Sequence, residues 1–288
     1  MNTSSPKTVI ITGASDGIGL ECASQLAAQG HHLVLVGRNP DKVAAAAERL
    51  RTESPEAAVD TFTADYAVLA DVRRLAGELL AAYPRIDVLV NNAGTVYDKR
   101  QLTVDGYEST FAVNHLAGFL LTELLFDRIV ASGSARIVNT ASAGHYRGTM
   151  DFDDLGFEKG YQIMRAYGRS KLANVLYTRN LATRLAGTGV TANCLHPGAV
   201  ATNIWDGAPA FAKPVLGLAK RLLMISPEEG GATLTFLATD EAVAGRSGGY
   251  YEKNRIKDPA ELATDEDLGR RLVDVSRTLV GLSGRGTA

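Results

Sequence analysis

The chain has 288 residues, 45% of them hydrophobic and 22% charged, and a formal net charge of −2 at pH 7. A chain of this size can bury a large core, and a charge so close to zero excludes the electrostatic attraction that nucleic-acid binding and binding to anionic membranes depend on. The two cysteines, Cys22 and Cys194, form no C-x-x-C pattern, so we predict no zinc or other metal site, no disulfide framework and a reducing compartment.

The first seven residues are polar and pass directly into an apolar run, without the charged and apolar regions of a signal peptide. We find no window that approaches the roughly 18 uncharged apolar residues of a membrane-spanning helix. The expectation is a cytoplasmic protein that has no membrane anchor and binds no nucleic acid. The sequence leaves open whether the protein forms a homo-oligomer.

Short apolar runs then alternate with longer helical patterns. The predicted strands are Thr8–Thr12, His32–Val36, Ala58–Thr63, Val88–Asn91, Arg136–Asn139, Thr191–Leu195 and Gly249–Tyr251. The predicted helices are Gly17–Gln29, Asp41–Arg51, Ala67–Ala82, Gly106–Ala131 and Ala166–Ala186. Strands that are apolar at every position indicate burial on both faces, and their alternation with helices predicts an α/β fold with a doubly wound parallel sheet. No linker or repeat divides the chain, so we expect residues 1–288 to form a single domain.

Two long segments interrupt the alternation, at residues 143–165 and 199–225. Long segments at strand ends of α/β proteins are often functional, so both are predicted to be substrate loops. The second contains Trp205 and several other large apolar residues, together with prolines and glycines that disfavour one continuous helix. It is either a lid over an apolar pocket or an ordinary packed helical hairpin.

A glycine-rich turn follows the first predicted strand, with the spacing G-x-x-x-G-x-G. Glycines let the backbone approach a phosphate closely, and the N-terminus of the next helix offers unpaired N–H groups to an anion. The turn therefore predicts a dinucleotide site, although a tight turn without a ligand would have the same pattern. Its predicted cofactor-binding residues are Gly13, Ser15, Asp16, Gly17, Ile18 and Gly19.

Gly13, Ser15 and Gly17 also satisfy the G-x-S-x-G pattern of α/β-hydrolases. That fold needs an oxyanion-hole loop from an earlier strand, yet only twelve residues precede Gly13. We therefore set the hydrolase hypothesis aside.

The end of the second predicted strand bears on the choice of dinucleotide. An acidic residue there usually binds the ribose 2′-hydroxyl of NAD, but this strand is followed by Gly37 and Arg38. A guanidinium can pair with a 2′-phosphate through two hydrogen bonds, so Arg38 predicts NADP(H). The alternative is a solvated arginine at a strand end.

Tyr167 and Lys171 are spaced i, i+4 and therefore lie on one face of a predicted helix. A nearby ammonium lowers the pKa of a phenol, which would fit Tyr167 for acid/base catalysis, although such a pair often occurs by chance. Ser142 follows the strand Arg136–Asn139, where its hydroxyl would point into the ligand crevice and could stabilise charge on a reacting oxygen.

With these elements in this order, the sequence resembles the classical short-chain dehydrogenase/reductase family over nearly its whole length. The motifs behind the resemblance are the glycine turn, Asp65, Asn91-Asn92-Ala93-Gly94, Asn114, Ser142, Tyr167-x-x-Ser170-Lys171 and Pro197-Gly198. The resemblance implies a single Rossmann-type domain with about seven parallel strands.

The resemblance also implies roles for individual residues. Tyr167 would be the catalytic acid/base, and Ser142 would orient the substrate oxygen. Lys171 would bind the nicotinamide ribose and tune Tyr167, and Asn114 would support a water that relays protons. The other implied cofactor contacts are Asp65, Asn91, Ala93 and Gly94 toward the adenosine half, and Pro197, Gly198, Val200 and Thr202 toward the nicotinamide.

Further motifs resemble the retinol-dehydrogenase-like group of that family. They are Asn114-His115-Leu116, the run from Tyr167 to Asn174, His196-Pro197-Gly198 and the long spacer from Ser142 to Tyr167. Vertebrate members of that group often carry a membrane anchor. Because we expect no anchor in this chain, we do not carry over their retinoid substrate.

The sequence thus predicts an NADP(H)-dependent oxidoreductase that interconverts a carbonyl and an alcohol. Ser142, Tyr167 and Trp205 are the predicted substrate contacts, and the preferred substrate is expected to be bulky and apolar. One alternative is a non-catalytic NADP(H)-binding sensor on the same fold, against which the complete set Ser142, Tyr167 and Lys171 argues. Another is a sugar-nucleotide epimerase, which the glycine spacing and the short C-terminal part disfavour.

Overall fold

The computed structural model describes residues 5–198 and 226–282, and the strands in these ranges form one sheet in the order β3-β2-β1-β4-β5-β6-β7-β8. The strands are β1 Thr8–Thr12, β2 His32–Gly37, β3 Val59–Thr63, β4 Val88–Asn91, β5 Arg136–Thr140, β6 Thr191–His196, β7 Tyr250–Glu252 and β8 Arg255–Lys257. All neighbours from β3 to β7 pair in parallel. The strand order reverses at β1, with β2 and β3 on one side of it and β4 and the later strands on the other. Such a reversal places a ligand crevice at the carboxyl ends of β1 and β4. The predicted Rossmann-type, doubly wound α/β fold is confirmed.

The sheet has eight described strands rather than about seven, because β8 adds an antiparallel edge to β7. The two strands are joined by Lys253 and Asn254, whose φ angles of +50° and +60° form a tight two-residue hairpin turn. Since β8 is three residues long and exposed at every position, it carries no burial pattern from which it could have been predicted.

The helices cover both faces of the sheet. Their bounds are α1 Gly17–Ala28, α2 Pro40–Glu53, α3 Leu69–Ala82, α4 Ser109–Ala131, α5 Ile163–Arg184, α6 Pro227–Thr239 and α7 Glu266–Leu279. The first five agree with the predicted helices to within a few residues at their ends. Helices α6 and α7 are not among the predicted helices, although both begin with recognisable signals. Ser226 caps α6 ahead of a proline, and Asp265 caps α7 ahead of two acidic residues.

Two hydrophobic clusters lie on opposite faces of the sheet. In β1, Ile10 joins one cluster while Val9 and Ile11 join the other, as expected for a strand buried on both faces. Helices α3, α4, α5 and α7 contribute to the first cluster, and α1, α2 and α6 to the second. This packing leaves the carboxyl ends of the strands as the edge where loops converge.

Helix α4 is long and apolar enough to cross a membrane by length and composition, a candidate that the sequence analysis overlooked. About 72% of its most apolar 18-residue window is buried inside the protein, where α4 packs against α3. A core helix of a globular protein is buried in this way, so packing in the core accounts for the apolar residues of α4.

Candidate active site

A cavity of about 610 Å³ lies at the carboxyl ends of the central strands and brings together most of the residues predicted from the sequence. Its walls are formed by the β1–α1 turn, the ends of β2 and β4, the segment after β5, the start of α5 and the end of β6. The predicted residues that line it are Gly13, Ser15, Asp16, Gly17, Ile18, Arg38, Asp65, Ala93, Gly94, Ser142, Tyr167, Lys171, Pro197 and Gly198.

The glycine turn is packed too tightly for side chains at two of its positions. Gly13 has a φ of +65°, and a Cβ there would lie 2.9 Å from the Cα of Ala93. A Cβ on Gly19 would lie 2.3 Å from the Gly13 carbonyl oxygen. The Asn92 side chain fixes the turn, because its amide nitrogen donates to the Thr12 and Gly13 carbonyls at 3.0 and 3.3 Å. Gly19 therefore shapes the turn without lining the cavity.

Arg38 is exposed and lines the same cavity as Ser15, directly after β2. A Cβ on Gly37 would lie 3.2 Å from the Ser15 hydroxyl, so the missing side chain lets the two segments approach each other. A hydroxyl and a guanidinium together on one wall suit a phosphate group. Asp65 also lines this end, where its carboxylate accepts a hydrogen bond from the Ala67 amide at 2.9 Å.

At the opposite end, Ser142 and Tyr167 lie next to each other on the cavity wall, where the Ser142 hydroxyl acts on the phenol. Ser142 follows β5 and caps a 3-10 turn, Ala143–Arg147, by accepting from the Gly144 amide at 3.1 Å. Tyr167 lies in the first turns of α5 and is 8% exposed. Burial raises the pKa of Tyr167, and the hydrogen bond to Ser142 partly offsets this. The protein chain alone therefore raises the pKa of Tyr167, whereas we had expected Lys171 to lower it.

Glycines bring the pair together. A Cβ on Gly168 would lie 2.9 Å from the Gly144 carbonyl oxygen, and a Cβ on Gly144 would lie 3.2 Å from the Tyr167 ring. Since Gly168 immediately follows Tyr167, its missing side chain lets α5 approach the turn that carries Ser142 closely enough for the two hydroxyls to meet.

Lys171 lies one helical turn beyond Tyr167 and is 2% exposed. Its ammonium donates to the Thr140 carbonyl at 3.0 Å and lies 5.7 Å from the centre of the Tyr167 ring. Burial lowers the pKa of Lys171 to about 8. A lysine with this pKa is still mostly charged at neutral pH, although burial has removed the water that would hydrate its ammonium.

Asn114 lies behind the cavity wall rather than on it. It belongs to a π-helical stretch of α4, Ala112–Leu116, of the kind often found at functional sites. Its side chain exchanges two hydrogen bonds with the backbone of Thr95, at 2.7 and 3.0 Å, and donates to the Ser170 hydroxyl at 3.0 Å. These contacts join α4 and α5 beneath the active-site residues.

The side chain of Asn91 is directed into the protein. Its amide nitrogen donates to Thr122 and Asn139 at 2.8 and 2.9 Å, and the residue does not line the large cavity. The structure therefore does not place the Asn91 side chain where it could make the predicted contact with the adenosine half. Three predicted site residues, Val200, Thr202 and Trp205, lie outside the described residues together with the predicted loop 199–225.

The other predicted loop, 143–165, is held against α5 by Arg169. The Arg169 guanidinium donates to the carbonyls of Thr149 and Asp154 and lies 3.6 Å from the centre of the Phe157 ring. Phe157 has a φ of +47°, which is unusual for a bulky residue. The loop is thus closely anchored to the helix that carries Tyr167.

Several residues around the site were not singled out from the sequence. Thr140 accepts from Lys171, and His145 bonds the Ser142 carbonyl at 2.6 Å while accepting from the Ala260 amide at 3.0 Å. Tyr97 and Met164 line the cavity. Thr140 could have been found by its position two residues before Ser142. The role of His145 depends on a contact with a segment 115 residues away, which no local pattern shows.

The arrangement fits a dinucleotide. One cavity joins a glycine turn at a helix N-terminus, a guanidinium beside a hydroxyl, and the adjacent hydroxyls of Ser142 and Tyr167. The first two features suit phosphates, and the third suits proton transfer to an oxygen.

Comparison with known proteins agrees with this geometry. The sequence profile of the short chain dehydrogenase family matches residues 7–211. Retinol dehydrogenase 13 of Homo sapiens is 42% identical over 281 residues, which cover 96% of this chain and 85% of that protein. Two solved structures are similar over most of their length. A protein from Mycobacterium Paratuberculosis superposes with a TM-score of 0.77 at 29% identity, covering 96% of this chain and 93% of that one. A structure described as an NAD(P)-dependent gluconate 5-dehydrogenase from Beutenbergia cavernae, with bound NADP at low occupancy, gives a TM-score of 0.70 at 30% identity, covering 86% and 94%.

The family profile spans well over half of the chain, and the retinol dehydrogenase matches nearly all of it. This protein is therefore an oxidoreductase that belongs to the short-chain dehydrogenase family, within its retinol-dehydrogenase-like group.

Proposed function

We propose that the protein is an NADP(H)-dependent oxidoreductase that interconverts a carbonyl and an alcohol, with Tyr167 as its acid/base. The observation that carries the proposal is the adjacency of Ser142 and Tyr167, which share one cavity with the glycine turn and lie next to the buried Lys171. Substrate and cofactor can thus meet in one cavity.

The nicotinamide, when bound, supplies or accepts the hydride. In the reductive direction Ser142 donates a hydrogen bond to the carbonyl oxygen, and Tyr167 donates the proton that completes the alcohol. Burial raises the pKa of Tyr167, so the phenol is protonated near neutral pH and ready to act as an acid. In the oxidative direction the phenol must first lose its proton, and the ammonium of Lys171 favours the resulting phenolate.

Arg38 supports a preference for NADP(H) over NAD(H). It is exposed at the end of β2 and lines the cavity beside Ser15, where a 2′-phosphate could accept hydrogen bonds from both. The structure described with bound NADP at 30% identity shows that a protein of this fold can hold that cofactor.

The preference is tested by steady-state kinetics with both cofactors. We expect a higher kcat/KM with NADPH than with NADH, and Arg38→Asp should reduce the difference by placing a like charge beside the 2′-phosphate. Arg255→Asp, which changes an exposed charge of β8 that does not line the cavity, serves as the control. A wild-type protein that prefers NADH would refute the assignment of Arg38.

We further propose a bulky, apolar or aromatic carbonyl as the substrate. Met164 lines the cavity near Tyr167 and is 54% exposed, so it offers an apolar surface to an incoming molecule. The apolar residues of the predicted loop 199–225, Trp205 among them, would extend that surface. Small hydrophilic carbonyls should react poorly, because their polar groups would be buried without partners.

A panel of ketones and aldehydes assayed by loss of NADPH absorbance tests the reaction. Tyr167→Phe should lower kcat by at least ~10²-fold while leaving NADPH binding nearly unchanged, since only the proton donor is removed. Tyr146→Phe, at an exposed tyrosine that bonds the Asp258 carbonyl, should retain full activity. Tight NADPH binding without turnover of any carbonyl would favour the sensor hypothesis instead.

A further inference from the structure

Asn174 lies on α5, three residues beyond Lys171, and its side chain connects the elements that carry the active-site residues. Its amide nitrogen donates to the Asn114 carbonyl in the π-helical stretch of α4 at 3.0 Å, and to the Thr140 carbonyl at the end of β5 at 3.2 Å. The Thr140 carbonyl is the same group that accepts from the Lys171 ammonium. Asn174 therefore bonds the acceptor that holds Lys171.

The hydrogen bonds on the far side of Asn174 continue to the C-terminal helix. Its amide oxygen meets Nδ1 of His115 at 3.2 Å, and Nε2 of His115 meets the Ser276 hydroxyl of α7 at 3.0 Å. His115 and Ser276 are 1% and 0% exposed. A continuous chain of hydrogen bonds thus runs from Ser276 of α7 to the Thr140 carbonyl, which accepts from Lys171.

The partners determine the direction of every bond. Backbone carbonyls only accept, so the Asn174 amide nitrogen faces them and its oxygen faces His115. Nδ1 of His115 must then carry the hydrogen, and Nε2 accepts from the Ser276 hydroxyl. Burial lowers the pKa of His115 to about 4, so the ring is neutral at physiological pH, as this arrangement requires. All polar atoms of the Asn174 and His115 side chains are engaged.

We propose that Asn174 is a positioning residue for the proposed reaction: it fixes the Thr140 carbonyl that holds Lys171 and ties it to the Asn114 carbonyl of α4, and His115 and Ser276 hold its amide in orientation from α7. This rests on the proposed function, in which Lys171 acts on Tyr167. The amide satisfies one lone pair of the Thr140 carbonyl and fills the space beside Lys171. Without it, that carbonyl would be free to accept more strongly from the ammonium, and water could enter.

Both consequences favour the charged form of Lys171. Within residues 5–198 and 226–282, the other titratable groups that face Lys171 are Tyr167 on its own helix and His196 at the end of β6. Neither is touched by a change at Asn174. A rise in the pKa of Lys171 on removal of the Asn174 amide would therefore report the loss of this contact.

The experiment is a pH titration of the protein with ¹³C-labelled lysine, in which Lys171→Met identifies the Lys171 Cε resonance. We expect the Lys171 pKa to rise by about one unit or more in Asn174→Ala, because a buried ammonium gains both an acceptor and hydration. Asn174→Ser serves as a second variant should the alanine variant fail to fold. Asn193→Ala is the matched control, since Asn193 is also buried and its side chain bonds two backbone groups of another segment. An unchanged Lys171 pKa in both Asn174 variants would overturn the proposal.

Kinetics test whether Asn174 acts through Lys171. Because the freed Thr140 carbonyl draws the ammonium away from Tyr167, we expect Asn174→Ala to lower kcat about tenfold in the wild-type background and less than about twofold in the Lys171→Met background, as for residues that act as a unit. Equal losses in both backgrounds would contradict a positioning role. If the wild-type protein reduces no carbonyl, the proposed function fails, while the titration still decides the effect of Asn174 on Lys171.

Discussion

Lys171 shows at the scale of one residue how a functional group can oppose stability. Burial lowers its pKa from 10.5 to about 8, so holding the ammonium in the core costs free energy wherever the lysine is charged in the folded protein. This cost is fully present below pH 8. It decreases as the pH rises from 8 toward 10.5, because the folded protein has already lost the proton that the unfolded chain still binds.

We therefore expect Lys171→Met to be more stable than the wild type at pH 7, by up to about 3 kcal/mol, less the lost hydrogen bond to Thr140. The advantage should shrink between pH 8 and pH 10. Denaturant unfolding of both proteins at several pH values measures it, with the exposed Lys159→Met as the control. A stability difference that does not change with pH would show that the ammonium is not the source of the cost.

At the scale of elements, the contact between α5 and the 3-10 turn Ala143–Arg147 decides whether the two hydroxyls meet. A Cβ on Gly168 would come within 2.9 Å of the Gly144 carbonyl oxygen, closer than real Cβ contacts allow. One of the two elements must then move, and Ser142 moves away from Tyr167. A misplacement of this order can cost about 10²-fold in rate.

Gly168→Ala should accordingly lower kcat by about 10- to 100-fold while the protein stays folded. Gly77→Ala is the matched control, because Gly77 lies in α3 with no atom near the new Cβ. That substitution should raise stability by about 0.5–1 kcal/mol and leave activity unchanged. Full activity of Gly168→Ala would mean that the close approach of α5 is not needed for catalysis.

At the scale of the whole molecule, a charged cluster ties three helices together on one face of the sheet. The side chain of Glu123 in α4 is 4% exposed and accepts from Arg184 of α5 at 2.5 Å and from Arg277 of α7 at 2.6 Å. Arg184 donates a second hydrogen bond at 3.2 Å, and the Tyr177 hydroxyl donates the fourth at 3.0 Å. Removing one member of a buried charged cluster leaves the remaining charges without compensation.

Glu123→Gln should reduce the free energy of unfolding by about 2–3 kcal/mol, a value below the usual cost for buried pairs because both arginines are partly exposed. Glu78→Gln removes an exposed carboxylate from its pair with Arg74, and should change stability by less than about 0.5 kcal/mol. Denaturant unfolding at constant ionic strength compares the two. Equal losses in the free energy of unfolding would mean that the Glu123 cluster stabilises the protein no more than an exposed ion pair does.

Much of this protein was determined by local sequence. The alternation of apolar runs with helical patterns predicted the central strands and five helices, and the spacing of Gly13, Gly17 and Gly19 predicted the turn that lines the cavity. The i, i+4 spacing predicted that Tyr167 and Lys171 share a helix face. These features depend on residues only a few positions apart, so they can be read without knowing what packs against them.

The tertiary structure alone decided how these parts act on one another. It directed Asn91 inward, raised the pKa of Tyr167 where we had expected a fall, and joined Asn174 to α7 through His115. It also added β8 to the edge of the sheet. Burial and hydrogen bonding of a side chain depend on segments far away in sequence, since desolvation and partner geometry arise only when the whole chain has packed.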